Sequence, residues 1–363
     1  MRPWRSFLAL GLTLALLGPA ALIAQKSDKK QDDTQKRQVA AIVKLADDVE
    51  GGAAAPNDLG ALWVREDYMK AANNKEYVPF TITLDPSKLG TPNVALYWRA
   101  VKPGSLPAAA PAAAGKKDDK KDAKRDLPYE DVTFGAVSAQ AGTPARLSRS
   151  VTISPGTYDL IIVAQEVPAA PAQKNAAPAT PKTSVLKQSI TVPDYWNNEL
   201  NTSSVMLAQR IDPLPAPLSR DQQVERPYAM PGMELIPVTS TRFSKKSELS
   251  TFMLIYNTKP DAMNKPNVLV EYNFCQIAPG NQPKEGEGCK PGEKFFNKTA
   301  PQNLNAETLP PQFDLSMGHQ LQTGQAIPLA SFPEGDYRLE IKVTDNLAKK
   351  TMAKDVLFTV TAS

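Results

Sequence analysis

Ser154-Pro155-Gly156-Thr157-Tyr158-Asp159-Leu160-Ile161-Ile162-Val163 is the stretch of sequence that decides the fold. A second stretch near the C-terminus, Phe332-Pro333-Glu334-Gly335-Asp336-Tyr337-Arg338-Leu339-Glu340-Ile341-Lys342-Val343, repeats its pattern. Each contains a Pro/Gly turn followed by apolar residues at every second position. This alternation after a turn signal is typical of a half-buried β-strand. The two stretches therefore predict two equivalent strands, one in each half of the chain.

The two halves also agree outside this motif. Thr91-Pro92-Asn93-Val94 corresponds to Lys265-Pro266-Asn267-Val268 at the same kind of turn, and the closing strands at 189–192 and 357–360 have similar patterns. From the turn asparagine to the motif glycine is 63 residues in the first half and 68 in the second. Short strands between turn signals are typical of a β-sandwich. The sequence therefore predicts an all-β protein of two tandem, duplicated sandwich domains.

The domain boundaries follow from changes in composition. We expect the first sandwich at residues 58–195 and the second at 243–363, joined by a Pro-rich connector with two extra strands at 196–242. Two Ala/Pro-rich loops, 103–126 and 168–182, interrupt the first sandwich. The individual strands are predicted at 78–84, 94–98, 132–137, 147–153 and 186–192 in the first half, and at 252–256, 268–274, 313–315, 327–329 and 356–360 in the second.

The N-terminus has the composition of a secretory signal peptide, residues 1–24. Arg2 and Arg5 precede a short apolar run, and cleavage is predicted after Ala24, with Ala20 as the alternative. An uncleaved anchor is the other interpretation, although the run is short for a bilayer span. Residues 25–57 are predicted to contain a disordered polar segment and then a short amphipathic helix, which packs on the neighbouring domain or mediates self-association. We expect an exported protein, periplasmic or extracellular, with no membrane span after cleavage.

The charge balance argues against a nucleic-acid-binding function, and the cysteine content favours a disulfide over a metal or redox site. Without the signal peptide, 40 basic residues face 38 acidic ones, so no nucleic-acid partner is expected. The two cysteines, Cys275 and Cys289, are predicted to form a disulfide, because an exported chain meets an oxidising compartment. A two-cysteine metal or redox site is the alternative, but the spacing is not Cys-x-x-Cys and no histidine lies nearby.

At Pro155-Gly156-Thr157-Tyr158 the sequence resembles the turn before a late strand in immunoglobulin-like and fibronectin type III-like domains. The resemblance implies structural corners built from Gly156 with Tyr158 and from Gly335 with Tyr337, in which each tyrosine hydroxyl bonds an upstream backbone group. The stretch from Gly335 to Asp345 is similar to C-terminal sandwich modules of secreted bacterial proteins. The chain also resembles uncharacterised exported proteins of the kind common in Acidobacteria. None of these motifs implies an activity.

The sequence offers no catalytic, cofactor-binding or metal-binding set. With His319 as the single histidine, no Ser-His-Asp or Cys-His arrangement is available beyond what this one loop residue could serve. No nucleotide-binding glycine loop is present. Paired acids could act on a glycosidic bond or bind calcium, but solvated surface pairs are the simpler interpretation. These acids are Asp47-Asp48, Glu66-Asp67, Glu130-Asp131, and Glu285 with Glu287. We therefore expect no enzyme and no cofactor.

Three hypotheses for the function remain. The first is a non-enzymatic interaction or scaffold protein of the cell envelope, whose partner is another envelope protein or a glycan. The second is a carbohydrate-binding or carbohydrate-processing accessory module that uses exposed aromatic side chains. The third is a chaperone-like protein that lends an open sheet edge to a client strand. The aromatic residues that could form such a binding surface are Trp63, Tyr68, Tyr195, Trp196 and Tyr228. The alternative for Tyr195 and Trp196 is that they pack in the seam between the two domains.

Overall fold

The computed structural model describes residues 33–104, 127–138, 142–167, 180–282, 284 and 288–362. The predicted signal peptide, most of the two Ala/Pro-rich loops, and Glu285 with Glu287 lie outside the described residues. The chain divides into two compact units. One comprises Ala21–Asp194 with Leu218–Pro227, and the other Tyr195–Pro217 with Tyr228–Ser363, apart from a terminal segment outside the described residues. We call them the N-terminal unit and the C-terminal unit.

The N-terminal unit is a β-sandwich with helices α1 (Asp33–Glu50) and α2 (Arg220–Glu225). One sheet pairs β3 with β1, β2 and β6, and the other has the order β5-β4-β7-β8. All these pairings are antiparallel. The strands are β1 (Leu62–Glu66), β2 (Met69–Lys70), β3 (Glu76–Leu84), β4 (Asn93–Val101), β5 (Tyr129–Ala136), β6 (Ala145–Ile153), β7 (Gly156–Glu166) and β8 (Thr183–Val192).

The C-terminal unit is a second β-sandwich. One sheet has the order β11-β12-β10-β14-β18, with β9 also on β14; the other has the order β13-β20-β19-β15-β16, with β17 also on β15. Only β13 with β20 is parallel among the described pairings. The strands are β9 (Asn201–Thr202), β10 (Met206–Pro213), β11 (Ala229–Met230), β12 (Met233–Pro237), β13 (Arg242–Ser244), β14 (Glu248–Tyr256), β15 (Val268–Ile277), β16 (Glu293–Lys298), β17 (Gln302–Leu304), β18 (Leu321–Pro328), β19 (Gly335–Asp345) and β20 (Lys350–Thr361).

Equivalent strands pair in the same order in both units. The strand that begins at the motif glycine lies between the strand after the Pro-Asn turn and the closing strand, as β4-β7-β8 and as β15-β19-β20. In the facing sheets, β3 pairs with β6 and β14 with β18. The correspondences read from the sequence therefore fall on strands at equivalent places, and the predicted all-β fold is confirmed.

The two motif glycines, at the first position of β7 and β19, have a positive φ angle, which is sterically unfavourable for residues with a Cβ atom. Gly156 has φ 140° and Gly335 has φ 145°. A glycine has no Cβ to clash in this region, so each turn can feed directly into its strand. At Gly335 a Cβ would also lie 3.1 Å from the Gln276 side chain. The glycine in the motif is thus set by backbone geometry in both copies.

Strand β7 is buried on both faces, which the alternating pattern did not predict. From Tyr158 to Glu166 every residue is buried, whereas β19 keeps the alternation of a strand with one exposed face. The reason is α1, whose Ile42, Ala46 and Val49 pack on the outer face of the β5-β4-β7-β8 sheet. The unbroken apolar run from Leu160 to Ala164 is the sequence signal for such a strand.

The inner faces of the sheets form the two sandwich cores. In the C-terminal unit the core is rich in aromatic rings: Tyr337 stacks on Phe358 at 5.4 Å between centroids, and Phe274 meets Phe332 edge-on at 5.3 Å. In the N-terminal unit the core contains Trp98, whose indole nitrogen donates to the Ser150 carbonyl oxygen at 2.9 Å. Each unit therefore has its own hydrophobic centre.

The region predicted as a connector belongs to the folded units. Strand β10 is an integral strand of the second sandwich, and 218–227 returns to the N-terminal unit, where the Tyr77 hydroxyl donates to the Pro227 carbonyl oxygen at 2.9 Å. The two extra strands expected here are present as β10 and β12. The proline content does not make the region a connector, because Pro213 and Pro237 stand at strand ends, where proline is tolerated. The second unit thus begins well before residue 243.

Two smaller predictions also need correction. The strand predicted at 313–315 is a series of turns, since the Phe313 amide donates to the Pro310 carbonyl oxygen and the Gly318 amide to that of Leu315. The N-terminal helix, predicted from the apolar spacing over Gln38–Val49, ends close to the predicted point, at Glu50. It begins earlier, at Asp33, and belongs to the same compact unit as the first sandwich. In the part of the chain that the structure describes, no helix is both long and apolar enough to cross a membrane.

Candidate binding groove

An open groove of about 590 Å³ lies in the C-terminal unit, on the sheet that contains β14 and β18. Its volume falls within the range of roughly 300–1,000 Å³ that is usual for small-ligand sites. The groove is formed by segments far apart in sequence: residues 250–252 of β14, residues 322–326 of β18, and 302–308 in and after β17. Ile211 and Met233 complete it from β10 and β12.

Amide and hydroxyl groups supply the polar part of the groove. The amides are those of Gln302, Asn303, Gln322 and Gln325, and the hydroxyls those of Ser250, Thr251, Thr308 and Thr323. Each amide offers both a donor and an acceptor, and each hydroxyl can serve as either. Among the residues that the structure describes, no aspartate, glutamate, lysine, arginine or histidine belongs to the lining. The groove is therefore polar but uncharged.

Gln302 is fixed in place by the edge of β18. Its Nε2 donates to the Gly324 carbonyl oxygen at 3.1 Å, and its Oε1 accepts from the Thr323 hydroxyl. Thr323 in turn lies 3.1 Å from the hydroxyl of the buried Tyr272. Burial raises the pKa of Tyr272 above its ordinary value, which already lies well above neutral pH, so this hydroxyl is protonated and can donate. The chain of hydrogen bonds ties one wall of the groove to the sandwich core.

Other polar groups of the groove remain available. Among the described residues, no hydrogen bond is made by the side chains of Ser250, Asn303, Gln322 or Gln325. Gln322 and Asn303 are exposed. Their donors and acceptors thus face solvent beside a wall already held by Gln302. This combination of fixed and unoccupied polar groups is what a binding site for a small polar ligand needs.

Apolar side chains line the remainder of the groove. Phe252 and Met233 contribute from the sheet, Leu304 from β17, and Ile211 is 43 % exposed. A large exposed aliphatic side chain beside amides is a mixed surface that suits amphipathic ligands. With no acid–base pair in the lining, the groove offers groups for binding and none for proton transfer.

The predicted disulfide joins Cys275 to Cys289, with a sulfur–sulfur distance of 1.99 Å. Glu293 lies beside it, but the two sulfurs are bonded to each other and cannot act as thiolate ligands. The Glu293 carboxylate instead accepts two hydrogen bonds of 2.7 Å from the buried Arg338 guanidinium. Arg338 also donates to the Gly288 carbonyl oxygen at 2.7 Å, which fastens the loop that the disulfide closes.

The two motif tyrosines differ in their hydrogen bonding. The Tyr337 hydroxyl donates to the Pro333 carbonyl oxygen at 2.9 Å, which is the upstream backbone bond that the family resemblance implies. Tyr158 is equally buried, but the structure gives its hydroxyl no hydrogen-bond partner among the described residues. The corner hydrogen bond is thus seen in the second copy.

His319 has a structural position. Its Nδ1 accepts from the Asp314 amide at 2.9 Å, and its ring lies 5.7 Å from that of Phe313. The ring therefore orders the turns after β17, and it does not line the groove.

The five aromatic residues singled out from the sequence are divided between the two units, with Trp63 and Tyr68 in the N-terminal unit and the other three in the C-terminal unit. Tyr195 and Tyr228 are buried, and Tyr195 packs against Tyr256 in the C-terminal unit. Trp63, Tyr68 and Trp196 are half-buried. Trp63 stacks on Phe80 and donates to Glu66 at 2.8 Å. The described lining of the groove contains no tryptophan and no tyrosine. The groove could not be predicted from the sequence, because its polar residues lie in three separate segments.

A second, smaller cavity of about 160 Å³ lies in the N-terminal unit. Its lining contains Arg146 and Arg149 and, from α2, Glu225. The Arg149 guanidinium donates to the Thr133 hydroxyl at 3.1 Å and lies over the Trp98 ring at 5.8 Å. Because the Glu225 carboxylate of α2 lines this cavity, the cavity lies where segment 218–227 packs against the first sandwich.

No protein-family model matches the sequence, and no curated protein matches it. Among solved structures, the chain is similar to alpha-2-macroglobulin of Escherichia coli activated by porcine elastase, with 12 % identity, a TM-score of 0.22, and coverage of 83 % of this chain and 23 % of that one. Dimeric latent PorU of Porphyromonas gingivalis gives 11 % identity, a TM-score of 0.27, and coverage of 87 % and 21 %. The chain thus spans less than a quarter of either protein, and these similarities carry no functional argument.

Proposed function

We propose that this chain is an exported, non-enzymatic binding protein of the cell envelope, and that the groove of the C-terminal unit is its ligand site. The observation that carries the proposal is the lining of the groove, which combines unoccupied amides and hydroxyls with apolar side chains and holds no acid–base pair. Such a site favours a bound complex over a chemical step.

Export is supported by two features. The first 24 residues have the charge and hydropathy pattern of a secretory signal, and the Cys275–Cys289 disulfide is of a kind that persists in oxidising compartments. An envelope location gives the partner classes, another envelope protein or a glycan.

We infer that the two units arose by duplication of one sandwich related to immunoglobulin-like and fibronectin type III-like domains. The shared order of equivalent strands, the repeated Gly-x-Tyr turns and the Tyr337 corner support this origin. The groove then belongs to one copy only, because it needs β17 and the residues after it. The binding function would be an addition to the shared scaffold.

A photo-crosslinking amino acid at Ile211 tests the proposal. Ile211 lines the groove and is 43 % exposed, while Met263, 66 % exposed and outside the groove in the same unit, is the matched control. After irradiation with cell-envelope extract, we expect a discrete protein or saccharide adduct at position 211 and none at position 263. Ala326→Trp, which fills the groove from an exposed position, should abolish it. Equal labelling at both positions, or none at 211, would refute the groove as a binding site.

A further inference from the structure

We propose that the ligand of the groove is a neutral oligosaccharide. This inference rests on the proposed function, since it names the ligand class of the same site. Three features of the groove carry it: the absence of charge, the type and availability of its polar groups, and the way in which Gln302 blocks the neighbouring sheet edge.

The lack of charged side chains in the lining disfavours ionic ligands. A phosphate, a sulfated or uronic-acid sugar, or a charged peptide would lose hydration on entering the groove, and no side chain of opposite charge is there to replace it. Arginine and lysine are the residues that normally receive such groups. A ligand that matches the groove therefore has many hydrogen-bonding groups and no net charge.

The polar groups match sugar hydroxyls. A sugar hydroxyl both donates and accepts, so that neighbouring hydroxyls are best met by groups that do the same. Asn303, Gln322 and Gln325 each place an amide donor and an amide acceptor in the groove, and the Ser250 hydroxyl lies with them. Since these side chains have no partner among the described residues, no protein hydrogen bond is broken when they bind.

The apolar residues of the groove match the C–H groups of a sugar ring. A pyranose presents C–H groups on its faces and hydroxyls at its rim. Met233 and Ile211, which are partly exposed, are placed to cover such C–H groups while the amides reach the rim, and the largely buried Phe252 lies with them in the lining. Burying both kinds of surface at once is what makes neutral sugars bind in mixed grooves of this kind.

Gln302 disfavours an extended peptide as the occupant. A peptide that joined β18 as a new strand would have to bond the backbone groups along its free edge. The Gly324 carbonyl oxygen on this strand already accepts from Gln302, whose other amide atom is held by Thr323. A peptide strand would first have to displace this held side chain, whereas an oligosaccharide can bind the free amides beside it.

The test is a glycan array probed with the full chain. The array holds neutral hexose and N-acetylhexosamine oligosaccharides together with uronic-acid and sulfated ones. We expect binding to at least one neutral series and to no acidic one. Affinity should hardly change between about 50 and 500 mM salt, because no charged contact is present to be screened.

Variants place the binding in the groove. Gln322→Ala combined with Gln325→Ala should weaken binding by roughly tenfold or more, since two amides lose their hydrogen bonds. Ala326→Trp should abolish it. Gln282→Ala, at an exposed glutamine of the same unit outside the lining, should leave it unchanged. Circular dichroism melting curves of each variant check that the fold is kept.

The possible outcomes separate this inference from the proposed function. No binding to any neutral series, a preference for acidic glycans, or neutral binding that the groove variants do not alter would each refute the oligosaccharide. If position 211 nevertheless crosslinks a protein from envelope extract, the groove remains a binding site and only its ligand class is wrong. If neither assay gives a groove-dependent signal, both proposals fail.

Discussion

Arg99 Nη2, in β4, lies 2.6 Å from Glu50 Oε2, in α1, and the two side chains are only 1 % and 6 % exposed. The same guanidinium donates through Nη1 to Asp47 Oδ1 at 2.6 Å, but the Asp47 side chain is 49 % exposed. One arginine thus fastens α1 to the outer face of the first sandwich, where the apolar side of the helix is buried. The Arg99–Glu50 pair is buried and the Arg99–Asp47 pair is half-exposed. This difference in desolvation decides how much each pair contributes to the free energy of unfolding.

We predict that Arg99→Met destabilises the protein by about 3 kcal/mol, because the buried carboxylate of Glu50 loses the guanidinium that lies 2.6 Å from it. Asp47→Asn should cost at most about 1 kcal/mol, since solvent screens the half-exposed pair. Urea unfolding monitored by circular dichroism measures both. The exposed Lys44–Asp48 pair provides the control through Asp48→Asn, with an expected change below roughly 0.5 kcal/mol. Equal costs for Arg99→Met and Asp48→Asn would show that α1 is not held by the buried pair.

The hydroxyls of the two motif tyrosines should contribute unequally. Tyr337→Phe removes the 2.9 Å bond to the Pro333 carbonyl oxygen and should cost about 0.5–1.5 kcal/mol. Tyr158→Phe should be close to neutral, because its hydroxyl has no partner among the described residues and the ring stays buried in either case. Chemical unfolding of the two variants is the measurement. A larger loss for Tyr158→Phe would mean that the first copy has a corner bond after all.

The local parts of the fold could be predicted from the sequence, and the reason is physical. Strands β7 and β19 follow from glycine turns and from alternation, both of which act over a few neighbouring residues. The disulfide follows from the number of cysteines and the expected compartment. The burial of Arg99 could not be predicted, because its partners lie about fifty residues away in the chain and an arginine in a strand has the same pattern whether exposed or covered.

The candidate site could not be predicted from the sequence either, because its residues also lie far apart in the chain. Gln302, Gln322 and Gln325 are ordinary polar residues of short strands, and only the folding of β17 beside the edge of β18 brings them together. Motifs that reveal a site in sequence hold their chemistry within a short stretch, as in nucleotide-binding loops. A groove assembled from three segments, without histidine or paired acids, leaves no such signal.

The disulfide should stabilise the folded chain by about 3 kcal/mol, the loop-closure value for a separation of 14 residues. We expect the Cys275→Ser, Cys289→Ser double variant to unfold at correspondingly lower urea, and dithiothreitol to have the same effect on the natural chain. The reductant should not affect the double variant, which controls for side effects. A natural chain whose urea midpoint is unchanged by dithiothreitol, with the thiols shown to be free, would contradict this prediction.

The ion pairs around Arg338 should make stability depend on acid pH. Hydrogen bonds from Arg338 lower the pKa of Glu293; burial alone would raise the pKa of Asp355, but hydrogen bonds from Lys290 and Arg338 outweigh it and lower that pKa too. A carboxyl whose pKa is lower in the folded than in the unfolded chain stabilises the fold above its unfolded pKa, near about 4. That contribution is lost as the pH falls through the folded pKa.

We therefore predict that the free energy of unfolding falls as the pH drops below about 4, and that part of this fall disappears in Glu293→Gln. The glutamine keeps the shape of the side chain and cannot titrate, so that the variant isolates the charge of Glu293, which contacts Arg338 at 2.7 Å. Glu271→Gln serves as the control, because the Lys342–Glu271 pair on the same sheet is partly exposed, at 44 % and 38 %, and its ions lie 3.4 Å apart. Urea unfolding at a series of pH values from about 2 to 7 measures all three proteins. If Glu293→Gln and Glu271→Gln change the acid slope equally, the buried Arg338 pair has no special part in it, and acid unfolding reflects the surface carboxylates in general.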